Sequence, residues 1–298
     1  MAAFEGTNTN FRLGNQDFST LNNDDDDDSA AIREAIQGGA VYLNIWMQVI
    51  GQMEQALEYC KIAAVENSIF AWDQAVAFYV GSLEGSDGLG DGVLLYDLAD
   101  KRCQNFNTCG SGEDDLSSSS SSSSNVNLDV VVRFQVGQLL LEMGDCEAAG
   151  ALKNEILELV KIPLIQQLLR YSYILEHQDA SNRNKVRAAT GAAAVLPFLY
   201  ACSGEDASIV HGLVQIDGST TPTTTMSFAT IKTALERNYE CMGVVCSDVG
   251  GLYDESQNAY FAGAEPCEDD DGGEGPRIGY EIIIAITVVV VGGLMYIC

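Results

Sequence analysis

Basic residues are scarce. Lys and Arg together number 15 against 43 Asp and Glu, a formal charge of -28 over 298 residues. So negative a chain repels a phosphate backbone, which excludes nucleic acid as a partner and fits either attraction of cations or solubility outside the cell. Histidine is scarcer: His177 and His211 are the only two, so imidazole is at most an extra ligand in any metal site. There is no Cys-x-x-Cys, which removes the basis for a zinc ribbon or a thioredoxin-like centre. His-Glu-x-x-His and Gly-x-Ser-x-Gly are also absent. The glycine-rich loop at 85–92 lacks the Asp-x-Asp-x-Asp-Gly calcium pattern, and its glycines do not make a dinucleotide loop. The expectation is of a protein that is not an enzyme. The N-terminus has neither a basic region nor an apolar one, and Met1 is expected to lie inside a longer reading frame.

What is present is a globular composition, 47% hydrophobic, enough for a sizeable core in one or two domains. Part of the acidity sits in runs at Asp24–Asp28 and Glu268–Asp271, which read as solvated loops. Eight cysteines precede the apolar C-terminal stretch and Cys298 ends it. An even set of eight suits up to four disulfides in an oxidising compartment, with buried free thiols as the alternative. Cys103 and Cys109 are six apart across Gln-Asn-Phe-Asn-Thr, and Cys241 and Cys246 flank Met-Gly-Val-Val; both pairs are expected to form local disulfides.

Periodicity predicts an all-α fold, a duplicated helical bundle with a C-terminal transmembrane helix. Trp72, Ala75, Val76, Tyr79 and Leu83 fall on one helical face, with Asn67 or Ser68 as N-cap and Gly85 as the stop. Upstream, Ser29 is expected to cap a helix running to about residue 65, kinked at Gly38 and Gly39. A short helix spans 94–106, and another runs from about 128 to 161 with a break at Gly144. Pro163 opens the next, reaching His177. Small residues make a helix of 182–202, and Ser227 caps the last one. A weak echo at an offset of about 100 residues, Ile32-Arg-Glu-Ala-Ile against Val132-Arg-Phe-Gln-Val, points to duplication. The expected divisions are 1–28, an irregular lead-in; 29–110, a first helical unit; 111–125, a serine-rich linker; 126–251, a second helical unit; 252–279, an acidic glycine-rich stalk; and 280–298, a membrane anchor. Ile282 to Cys298 is uncharged for seventeen residues, just long enough to span; a GPI signal or a buried segment are the alternatives.

Three stretches resemble the algal iron-assimilation family, the low-iron-inducible periplasmic proteins of green algae and the phytotransferrins (iron-starvation-induced surface proteins) of diatoms. They are Trp72-Asp-Gln-Ala-Val-Ala-Phe-Tyr-Val-Gly-Ser-Leu-Glu-Gly85, Leu98-Ala-Asp-Lys-Arg-Cys-Gln-Asn-Phe106, and Ala234-Leu-Glu-Arg-Asn-Tyr-Glu-Cys-Met-Gly-Val-Val-Cys-Ser-Asp-Val-Gly-Gly251. The serine run departs from the family pattern. So does the start of the chain. The resemblance implies capture of ferric iron at the cell surface, with carbonate as co-ligand as in the phytotransferrins and internalisation afterwards; endocytic or reductase partners are left open, and the cysteines and apolar tail place the chain at the plasma membrane with its bulk extracellular or periplasmic. The helical imelysin-like peptidases would suggest Gly-x-His-x-x-Glu, which this chain lacks. A structural or adhesive helical surface protein without metal is the alternative.

Ferric iron is a hard cation that takes phenolate and carboxylate oxygens, with imidazole as an addition. Tyr173 and His177, at i and i+4, face the same way on a helix, with Glu176 and Asp179 beside them. Asp73, Tyr79 or Glu84 would approach from the other unit. Asp73 and Glu84 cannot grip one ion together, because eleven residues of helix separate them by roughly 16 Å. His211 reads as a packed histidine. Lys101 and Arg102 are the basic candidates to hold a carbonate.

Overall fold

The computed structural model describes residues 12–13, 16–17, 21, 26–81, 92–110, 123–216 and 227–268. These are mostly helical, as periodicity predicts. Two hairpins of two-residue strands complete them: β1 (Arg12–Leu13) with β2 (Gln16–Asp17), and β3 (Tyr253–Asp254) with β4 (Ala259–Tyr260). No described helix is long and apolar enough to cross a membrane. The expected span at 280–298, with Leu83, Glu84, Gly85 and the serine linker up to residue 122, lies outside the described residues.

The first helix starts earlier than Ser29 suggests. α1 is Asp26–Gly38, with Asp26, Asp27 and Asp28 in its first turn, where carboxylates favour the positive end of the helix dipole. The acidic run that reads as loop thus partly caps a helix. At Gly38–Gly39 the chain does not simply kink; it widens into a π-helical stretch, Gly39–Ile45, before α2 (Trp46–Lys61). A side chain at Gly38 would meet Thr190 Oγ1 at 2.9 Å, so glycine here lets α1 lie close on a later helix.

α3 is Val65–Val80. Ser68 does not cap it. Its hydroxyl is buried one turn inside and donates to the Ala56 carbonyl of α2 at 2.8 Å. Gly81, at φ +83°, ends the helix. α4 is Leu95–Phe106 and α5 is Asn125–Glu142, the latter capped by Ser124, which accepts from the Val126 N–H.

The main departure is α6. It runs unbroken over Cys146–His177, straight through Pro163. A proline inside a helix costs about 3 kcal/mol. Around it Ile162, Leu164, Ile165 and Leu168 are all fully buried, and each buried aliphatic side chain contributes about 1.5–3 kcal/mol. Packing therefore outweighs the break. α6 touches α2, α4, α5, α7, α9 and α11 and is the axis of the body.

α7 (Asn182–Cys202), capped by Ser181, matches the small-residue helix in the sequence. α8 (Gly204–Val214) follows, capped by Ser203, and carries His211. α9 (Phe228–Glu236) is capped by Ser227. Two single-turn helices, α10 (Tyr239–Met242) and α11 (Cys246–Val249), lead to the second hairpin. One apolar cluster draws on α2 through α11 and reaches Leu252 and Ala264, so both expected halves feed a common core. Residues 252–267, assigned by composition to a stalk, fold onto that core.

Four disulfides join the described elements: Cys60–Cys146, Cys103–Cys109, Cys202–Cys241 and Cys246–Cys267. Cys103–Cys109 is the local bridge expected. Cys241 does not bond Cys246. Gly243, in the left-handed region at φ +72°, turns the chain between them; Cys241 goes to the end of α7 and Cys246 to the C-terminal stretch.

Candidate functional site

Tyr173 and His177 occupy the last turn of α6, their ring centroids 4.5 Å apart. Tyr173 is otherwise walled by Phe228, edge-on at 5.2 Å, and by Phe261 at the same distance. Burial raises its phenol above the ordinary value. The Glu176 carboxylate accepts the Phe228 N–H at the start of α9 and lies 3.9 Å from His177 Nε2. His177 and Glu176 remain 44% and 34% exposed, so this cluster opens to solvent. Asp179 turns away: it accepts from Ser181 and Asn184 and organises the start of α7. A phenol, an imidazole and a carboxylate thus sit within one helical turn.

The residues expected from the first half do not join them. Tyr79 is wholly buried, and its hydroxyl donates to Asn127 Oδ1 at 2.7 Å. Asn127 in turn donates to the Tyr96 carbonyl and to Asp100. Burial, with the Asp100 carboxylate nearby, pushes the Tyr79 phenol well above its usual value. Its hydroxyl is committed to Asn127 inside the core. Asp73 points to solvent on the opposite face of α3 from the core. Glu84 is outside the described residues. Among the described residues, no three His, Cys, Asp or Glu side chains gather in the way a metal centre needs, so a site at Tyr173 would depend on phenolate and on ligands from solvent.

Lys101 and Arg102 are adjacent in sequence but divergent in space. Lys101 is exposed and bonds Asp97 one turn back. Arg102 is buried, 8% exposed, and faces a cluster the sequence does not reveal. Its guanidinium carbon is 5.8 Å from the Tyr171 ring centroid, and that of Arg187 is 5.2 Å from the same ring. Arg170 and Tyr42 complete the surroundings. Burial pulls the Arg102 guanidinium below its ordinary value, and the charges of Arg170 and Arg187 act in the same direction. Tyr42, on the π-helical stretch, is raised to about 12 by burial. Among the described residues, the carboxylate on its outer side is Glu34, which bonds Arg183 at 2.8 Å and also Arg187. Burial alone would raise Glu34, but these two guanidinium groups hold it below the usual range.

Tyr171 and Tyr173 are two residues apart, about 200° around the helix. Arg102 therefore lies across α6 from His177, and a carbonate held by Arg102 would not reach a metal at Tyr173. The cluster escapes sequence reading because it is assembled from α1, the π-helical stretch, α4, α6 and α7. Its one local signal is the i, i+4 pair Arg183 and Arg187.

Comparison with protein families, with curated proteins and with solved structures found no match for this chain.

Proposed function

We propose that the chain binds ferric iron at a cell surface for high-affinity uptake in an alga, held to the plasma membrane by residues 280–298. The observation that carries this is the grouping of Tyr173, His177 and Glu176 at the solvent-facing end of α6. Support comes from the resemblance stated above and from a net charge of -28, which concentrates cations near the surface. Iron is the cargo here. Tyr173 would supply phenolate, His177 imidazole and Glu176 a carboxylate oxygen, and carbonate from solvent would complete the oxygen set. Lys101 and Arg102 are not the groups that would hold that carbonate. Partners for internalisation or reduction would act after capture.

Titration of the purified chain with ferric iron from a weak chelate, with and without bicarbonate, tests this. A saturable visible tyrosinate charge-transfer band is expected, diminished by Tyr173→Phe and His177→Ala together. Absence of any band and of saturable uptake would leave a structural or adhesive helical surface protein. A band that survives the double substitution would place the iron elsewhere on the molecule.

A further inference from the structure

The unusual feature of this acidic chain is a buried cluster of cations. Elsewhere a buried arginine is satisfied: Arg133, 5% exposed, bonds Glu155 at 2.8 Å and lies 3.6 Å from Asp129. Arg102 is treated differently. Among the described residues it makes no ion pair, and its Nε and Nη1 have no hydrogen-bond partner. Arg170 Nε is likewise buried and without one. Glu34 is engaged by Arg183 and Arg187 at the outer edge. Among the described residues, two guanidinium groups are thus left without a counter-charge in a half-closed setting. An unpaired buried charge costs several kcal/mol, so such a pair is retained at a cost unless something compensates it.

We infer that Arg102, Arg170 and Arg187, with the Tyr42 hydroxyl, form a binding site for a small doubly charged oxyanion of the phosphate or sulfate type. The charge matches: two uncompensated guanidinium groups take a dianion, whereas a monoanion would leave one unpaired. The donors also match. They arrive from α4, α6, α7 and the π-helical stretch, from different directions, so that separate oxygens can be served. Tyr42 keeps its proton to about pH 12 and is available as a donor. Arg170 and Arg187 are only half-buried, which leaves a way in from solvent. The site lies across α6 from Tyr173 and does not depend on iron binding.

The test is thermal unfolding of the full chain in chloride buffer, with phosphate, sulfate or nitrate added at matched ionic strength. Phosphate and sulfate should each raise Tm saturably, by roughly 4–5 °C at a hundred times Kd, and nitrate should not. Arg102→Met should remove the response and leave Tm in chloride equal to or above that of the wild type, because it deletes an unpaired buried charge. Arg170→Met is the second variant if the first fails to fold, and it too should lose the response. Line broadening of the ³¹P signal of inorganic phosphate by the unaltered chain, reversed by sulfate, is a direct readout. Equal stabilisation of wild type and variant, equal effects of nitrate and sulfate, or an unbroadened ³¹P line would each overturn the assignment.

Discussion

At the scale of single residues, close approach and charge pairing decide what a position tolerates. Trp72 heads the densest pattern in the sequence. It is wholly buried, and its Nε1 donates to the Phe134 carbonyl of α5 at 2.9 Å. The ring lies on Gly137, where an added Cβ would come within 2.3 Å of Cζ2. Gly137→Ala is expected to lower stability by about 1–3 kcal/mol through this overpacking, read from the denaturant midpoint; an unchanged midpoint would mean that α5 shifts freely. Glu34 sets an acid limit. Its folded value lies below the ordinary 4.5, so its contribution is present above that value and is lost as pH falls through the lower, folded one. Glu34→Gln should therefore flatten the acid limb of a plot of Tm against pH below about 4.5 and leave its shape near neutrality alone. The same acid limb in both proteins would place the acid sensitivity elsewhere, for example at Asp206, which is also lowered: burial raises it, but hydrogen bonds from Asn238 and Ser203 and the Arg237 charge more than offset this.

At the scale of elements, caps fix where helices begin and cross-links fix which of them pair. Ser124, Asp145, Ser181, Ser203 and Ser227 each accept a hydrogen bond from an N–H in the first turn of the helix they precede. The disulfides differ in reach. Cys60–Cys146 closes 86 residues and joins α2 to α6, whereas Cys103–Cys109 closes six. On loop entropy alone the first stabilises by about 4–5 kcal/mol and the second by about 2 kcal/mol. Replacing both cysteines of the long bridge by serine should lower Tm clearly more than replacing both of the short one. The reverse order would show that the short bridge positions α4 against α5 by more than entropy. Helices 182–202 and 95–106 and the Cys103–Cys109 bridge were legible in the sequence because their determinants lie within a turn or two of each other. Continuity of α6 through Pro163 was not, since the local rule for proline is overridden by side chains from six other elements.

At the scale of the whole molecule, the proposed iron site makes a prediction about pH. Phenolate, imidazole and carboxylate must all be deprotonated to bind, and Tyr173 starts from a raised value, so protons compete with the metal. Ferric affinity measured from the charge-transfer band should fall steadily as pH is lowered from 7.5 to 5. Affinity independent of pH over that range would exclude Tyr173 as a ligand.

The order of residues by itself determined that the chain is helical, where the helices at 95–106, 182–202 and 228–236 begin, that its cysteines pair, and that Tyr173 and His177 face the same way, because each of these depends on neighbours within a few residues. Tertiary structure alone decided the rest. It withdrew Tyr79 from any ligand set by burying its hydroxyl against Asn127, separated Lys101 from Arg102, and sent Cys241 and Cys246 to distant partners. It also brought Arg102, Arg170 and Arg187 around Tyr171. The physical reason is common to all four. Burial and the identity of the facing group, not the residue type, fix whether a phenol keeps its proton, whether an arginine finds a counter-charge and which sulfur a thiol meets, and those facing groups come from helices far apart in the chain.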